Sequence, residues 1–130
     1  MEEKNQDQEK YLQLQILTQQ IQYYQENIQV IEQNQIELQN LKNSLDEFKK
    51  IEKNKKILVP LGQNIFSKAT LENSEDVIMG VGSSILIKKT LEEAKESIKK
   101  QEEELNVVFK QLQEEMQKTY SKFEELQKDS

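Results

Sequence analysis

Most protein chemistry begins at a histidine, a cysteine or an arginine, and this chain of 130 residues contains none of the three, nor any tryptophan; all eighteen of its basic residues are lysine. The reactive groups that remain are carboxylates and lysine amines. Glu102-Glu103-Glu104 is the densest acidic run, but consecutive residues of a helix point in different directions and do not converge on one cation. Gly80-Val81-Gly82 looks like a piece of a phosphate loop, yet no GxxxxGK[ST] pattern follows and no helix opens directly behind it. A Gly beside a hairpin turn more simply supplies a positive φ. Without Cys or His there is no thiolate zinc site, no redox pair and no His-based activation of a nucleophile. The expectation is therefore no enzymatic activity, no catalytic residue, no metal and no cofactor. The lack of disulfides agrees with a cytoplasmic location.

The bulk properties narrow the class further. The net charge of −6 argues against nucleic acid as a partner. No apolar run approaches the roughly 20 residues of a membrane span, and the acidic, polar opening MEEKNQDQEK is not a signal peptide. With 35% apolar and 32% charged residues, three Gly and one Pro, the chain is too polar for a round globule, whereas a narrow seam between two helices needs few apolar residues.

Such seams are visible in two places. Leu14, Leu17, Ile21, Tyr24, Ile28 and Ile31 step by threes and fours, and Leu38, Leu41, Leu45 and Phe48 continue the series after a phase slip near Gln35. This predicts an N-terminal helix over 8–53, about 70 Å long at 1.5 Å per residue. Twelve of the first forty residues are Gln, but they fall mostly between seam positions, so periodicity outweighs the low-complexity composition. A second helix over 90–128 opens on the capping box Thr90-Leu91-Glu92-Glu93. Its seam reads Leu91, Ala94, Ile98, Leu105, Val108, Leu112, Met116, Thr119, Phe123 and Leu126, with Gln101 as a polar break and a stutter near Met116.

Between them, residues 56–89 switch to β-branched clusters separated by turn residues, among them Pro60-Leu61-Gly62 and Gly82-Ser83-Ser84. Four short strands in two hairpins are predicted. Strands this short have open edges and little apolar cover, so other copies or sister subunits are expected to complete the sheet through Ile57, Val59, Ile65, Phe66, Val77, Ile78, Val81, Ile85 and Ile87. The fold class is thus mainly α with a small β unit: a long antiparallel two-helix coiled coil joined by two hairpins, in one domain over 1–130. Folding back places Leu14 and Leu17 beside Phe123 and Leu126 at a free end, with Tyr11 and Leu12 just beyond. Ile16, Tyr23 and Val30, each preceding a seam residue, either widen the seam or form an exposed strip that holds apolar segments of another protein.

The segment Lys56-Ile57-Leu58-Val59-Pro60-Leu61-Gly62, then Val77-Ile78-Met79-Gly80-Val81-Gly82-Ser83 and the capped Lys89-Thr90-Leu91-Glu92-Glu93-Ala94, resembles the archaeal prefoldin family, and two hairpins rather than one resemble its alpha class. The resemblance implies an ATP-independent holding chaperone: a hetero-hexamer of two alpha and four beta subunits with a β-barrel body, whose coiled coils cradle unfolded client proteins and pass them to a group II chaperonin. Client binding then falls to Tyr11, Leu12, Leu14, Ile16, Leu17, Tyr120, Phe123 and Leu126. One departure is Lys88, where many relatives carry an acidic residue. The alternative is a structural coiled-coil spacer, as in filament-forming members of that family.

Overall fold

The computed structural model describes residues 2–128, with side chains from residue 5. Helix α1 (Glu2–Lys49) is followed by strands β1 (Lys56–Gly62), β2 (Ile65–Thr70), β3 (Asp76–Gly80) and β4 (Leu86–Thr90), and then by helix α2 (Leu91–Lys128). Two compact units result. One comprises residues 2–36 with 102–128, and the other residues 37–101. The early part of α1 thus shares a unit with the late part of α2, the antiparallel arrangement that fold-back requires.

The buried stripe of α1 runs Lys10, Leu14, Leu17, Ile21, Tyr24, Ile28, Ile31, Gln35, Leu38, Lys42 and Leu45, alternating threes and fours without interruption. The expected phase slip near Gln35 does not exist, and Leu41 is exposed. Its apolar character drew the reading off register, while geometry keeps Gln35 and Lys42 on the inner side. Lysine suits such a position, since a methylene stem can cover apolar surface while its ammonium stays in water.

Helix α2 departs from expectation in the same way. Its inner residues are Leu91, Ala94, Ile98, Glu102, Leu105, Phe109, Leu112, Met116, Thr119, Phe123 and Leu126. Phe109 takes the place expected of Val108, which is exposed, and Glu102 rather than Gln101 is the polar member. The successive steps of four at Ala94, Ile98 and Glu102 put the stutter there and not near Met116. Such an 11-residue repeat locally relaxes the left-handed supercoil. Thr119 is buried, and its hydroxyl donates to the Glu115 carbonyl at 2.9 Å, which satisfies the polar group inside the helix itself.

In the unit of residues 37–101, Leu45, Leu91, Ala94 and Ile98 form a buried cluster, and Leu38, Phe48, Val77 and Met79 pack against it. Alternation along β3 explains the last two: Val77 and Met79 turn to the helices and Ile78 turns away. The strands form two separate two-stranded antiparallel sheets, β1-β2 and β3-β4. The first turn is not at Pro60-Leu61-Gly62, which lies within β1, but at Gln63-Asn64, where φ is 45° and 65°. Two successive left-handed residues match the twist of the flanking strands. Register passes from Pro60 opposite Phe66 to Gly62 opposite Ile65, leaving Leu61 as the extra residue of a bulge, and Gly62 takes φ 124° there. In the second hairpin Ser83 and Ser84 adopt φ 48° and 63°, and the Ile85 amide donates to the Gly82 carbonyl at 2.9 Å.

Helix α2 starts where β4 stops. The Glu93 amide donates to the Thr90 hydroxyl oxygen at 3.1 Å, and that hydroxyl donates to the Glu93 carboxylate at 3.2 Å. The carboxylate therefore steadies the capping side chain instead of reaching a backbone amide. The Leu91 amide donates to the Glu75 carbonyl, and the Ser74 hydroxyl donates to the Ile51 carbonyl at 2.9 Å, which ties the loop between the hairpins to the end of α1.

Replacement of the fully buried Ile98 by Ala is expected to cost roughly 2–5 kcal/mol, and Thr90→Ala about 1 kcal/mol. Val108→Ala should be nearly neutral, because that side chain faces water. Thermal unfolding followed by circular dichroism ranks the three; a Val108→Ala loss as large as that of Ile98→Ala contradicts the seam described above.

Candidate functional site

Among the described residues no group of three His, Cys, Asp or Glu side chains is placed to hold a metal ion, and no helix is long and apolar enough to cross a membrane. What stands out is apolar surface in two places.

The first is on the hairpins. Directly opposed residues of an antiparallel pair share a face, so Leu58 with Lys68 and Pro60 with Phe66 lie on one side of the first hairpin, and Ile57 with Ala69 and Val59 with Ser67 on the other. In the second, Ile78 with Lys88 and Gly80 with Leu86 lie on the face away from the helices. Of the residues expected to mediate assembly, Val59, Ile65, Phe66, Ile78, Val81, Ile85 and Ile87 are exposed. Ile57 is half-buried, and Val77 faces the helical cluster. Leu58, Leu61 and Leu86 are exposed to 65–70% as well, although sequence reasoning passed over them. Their signal was available: Leu58 alternates with Ile57 and Val59, and Leu86 lies between Ile85 and Ile87, so one of each set had to face out. Lys88, on this outward face, has its ammonium 3.2 Å from the Asp76 carboxylate, so the basic residue finds its partner within the hairpin.

The second surface is the end of the helix pair that carries both chain termini. Tyr11, Leu12, Ile16 and Tyr120 are exposed there, whereas Leu14, Leu17, Phe123 and Leu126 are half-buried seam residues. The Tyr120 and Phe123 rings pack with centroids 6.4 Å apart. Farther along α1, Ile16, Tyr23 and Val30 are all exposed, so they do not widen the seam. Ile36 and Val107 are further exposed apolar residues that the sequence reading did not single out.

Electrostatics plays a local part. The Lys95 ammonium bonds the Asp46 carboxylate across the two helices of the residue 37–101 unit, beside the buried cluster. That hydrogen bond, aided by the positive charges of Lys95, Lys42 and Lys50, lowers the Asp46 pKa below the usual carboxylate range, partly opposed by desolvation. The Lys89 ammonium donates to the Ser97 hydroxyl at 3.1 Å, which links β4 to α2.

Two long helices joined by two antiparallel hairpins whose apolar side chains stand bare define a coiled-coil protein with uncovered sheets. The model of the prefoldin subunit family matches residues 17–129, and the chain belongs to that family. No curated protein sequence matches it. Among solved structures, it is similar to a chain of filamentous PFD from Methanocaldococcus jannaschii, with a TM-score of 0.83 at 22% identity, covering 92% of this chain and 99% of that one. The prefoldin beta subunit from Thermococcus strain KS-1 is 21% identical over 90% of this chain and 88% of its own, with a TM-score of 0.40.

Lys95→Gln is expected to return the Asp46 pKa toward its ordinary value. The carboxylate pKa is depressed, so the ion pair contributes above the normal Asp range and is lost as pH falls through the lowered value. An NMR titration of the Asp46 carboxyl carbon reads this directly; an unchanged midpoint contradicts the assignment.

Proposed function

We propose that this chain is an alpha-type prefoldin subunit that works without nucleotide as a holding chaperone, capturing non-native proteins on the terminal end of its helix pair and passing them to a group II chaperonin. The observation that carries the reading is the pairing of two uncovered surfaces within a prefoldin fold: hairpins too small to stand alone in water, and exposed Tyr11, Leu12, Ile16 and Tyr120 at the end bearing both termini.

The division of labour follows from burial. Each hairpin leaves large side chains in water, and joining several such hairpins edge to edge satisfies their strands and buries Leu58, Phe66, Ile78 and Leu86 together. Two alpha and four beta subunits closing a β-barrel body is the arrangement we assign, on the resemblance to the alpha class. Two hairpins, where the beta class has one, support the alpha assignment. At the other surface, an exposed aliphatic or aromatic side chain gains about 1.5–3 kcal/mol if fully buried by a client. Several partial contacts from several subunits give capture that is firm yet reversible, with no energy input. The half-buried Leu14, Leu17, Phe123 and Leu126 add to this surface where the helix ends fray. The cytoplasm is the compartment this reading assigns, and no chemical step is assigned.

A second reading is favoured by one finding. The similar structure with a TM-score of 0.83 is a filamentous assembly. In that case the hairpins join copies of this chain end to end and the helix pairs act as spacers.

Substituting Tyr11, Leu12, Ile16 and Tyr120 together by Ser should leave helix content unchanged, since all four are exposed, and should reduce suppression of aggregation of a denatured enzyme several-fold. Undiminished suppression removes the client surface from these residues. Light scattering separates the two readings: a defined hetero-oligomer with a beta-type subunit supports the chaperone, and open-ended growth of the chain alone supports the spacer.

A further inference from the structure

Each sheet has only two strands, so every strand keeps one long edge free within the chain. The phase of the ladder decides which backbone groups lie on that edge. In an antiparallel pair, opposed residues alternate between those that exchange both amide–carbonyl bonds and those whose amides and carbonyls point away from the partner strand. The Leu71 amide donates to the Lys55 carbonyl at 2.9 Å, and the register runs on from there through Lys56 opposite Thr70, which marks the odd-numbered pairs as the bonded ones. Ile57 with Ala69 and Val59 with Ser67 thus bond across the ladder. Lys56, Leu58 and Pro60 on β1, and Phe66, Lys68 and Thr70 on β2, turn their backbone groups to the free edges. In the second hairpin the Val81 amide donates to the Ile85 carbonyl at 3.0 Å and the Leu91 amide to the Glu75 carbonyl at 3.2 Å, so the even-numbered residues again face out.

The free edges are not equal. Proline has no amide hydrogen, and Pro60, the one proline of the chain, stands at an outward position of β1. A strand laid along β1 meets donors at Lys56 and Leu58 and none at Pro60, and the bulge at Leu61 bends β1 directly behind it. Along β2 all three outward residues both donate and accept. A row of alternating amides and carbonyls is matched by one chemistry, a further β-strand, and this chain belongs to a family whose subunits assemble with one another. We infer that a neighbouring prefoldin subunit lays a strand along β2 as the firm joint of the first hairpin, and that the joint at β1, cut short at Pro60, is where the assembly opens. This order of joints rests on the assembly proposed above and not on client holding.

Amide hydrogen exchange followed by NMR reads both edges in the full chain, first free and then in the oligomer it forms alone or with a beta-type subunit. In the free chain the Leu58, Phe66 and Lys68 amides should exchange fast, since none is bonded within the hairpin. In the oligomer Phe66, Lys68 and Thr70 should slow by about a hundredfold, and Lys56 and Leu58 by roughly tenfold less. Pro60→Val restores the missing donor and should bring the protection of Leu58 up toward that of Lys68. Lys68→Pro deletes the middle donor of β2 without removing a hydrogen bond of the hairpin. Compared with Lys68→Ala, it should weaken the oligomer roughly tenfold in analytical ultracentrifugation. Leu58 protected as strongly as Lys68 in the unaltered oligomer overturns the proposal, as does a Leu58 amide indifferent to Pro60→Val or an oligomer indifferent to Lys68→Pro. A chain that forms no oligomer removes the assembly reading together with this one, whereas equal edges in a stable oligomer remove this one alone. An oligomer that shows the expected order of edges but holds no client removes only the chaperone.

Discussion

The structure rests on a seam one residue wide. Every third and fourth side chain of α1 and α2 turns inward, and few other contacts hold helix to helix, so register is the constraint from which the rest follows. It decides that Phe109 is inside and Val108 outside, that Leu45 meets the cluster of Leu91, Ala94 and Ile98, and that the outer side of α1 is left with Ile16, Tyr23 and Val30. A shift of a single residue would rotate each of these by about 100°. The seam is also not uniformly apolar. Gln35, Lys42, Glu102 and Thr119 occupy inner positions, a loss of burial that favours one register over its neighbours.

Much of this was legible in the sequence because helix periodicity is a local signal. The two helices, the capped start at Thr90 and the two hairpins follow from spacing and turn residues. The inner positions filled by Gln35, Lys42 and Glu102 did not, because hydrophobicity reads side chains and not geometry. Where Val107, Val108 and Phe109 are all apolar, composition cannot choose among them. The first turn was misplaced for a related reason. Pro60 and Gly62 are strong turn residues, yet here they serve a strand and its bulge, and the weaker Gln63-Asn64 pair makes the reversal.

The apolar surfaces were only half legible. That the hairpins lacked cover was clear from their length, but the outward face required the pairing register, which brought in Leu58 and Leu86 and turned Val77 toward the helices. At the terminal end, the expected set divided into exposed and seam members because heptad position, not apolar character, decides exposure. Membership of the prefoldin subunit family gives the bare hairpin faces a context, since subunits of that family assemble with one another.

Thr90 closes β4 and caps α2, so no spacer residue separates strand from helix, while α1 and β1 are separated by residues 50–55, in which Asn54 takes a left-handed φ of 66°. Torque applied to the second hairpin passes directly into the first turns of α2 as through a welded joint. The first hairpin is braced differently: the Asn54 amide donates to the Leu71 carbonyl at 2.8 Å and the Leu71 amide to the Lys55 carbonyl at 2.9 Å, so its ladder runs on into the connecting segment. A twist of that hairpin therefore reaches α1 through side-by-side hydrogen bonds and not through a continuous helix.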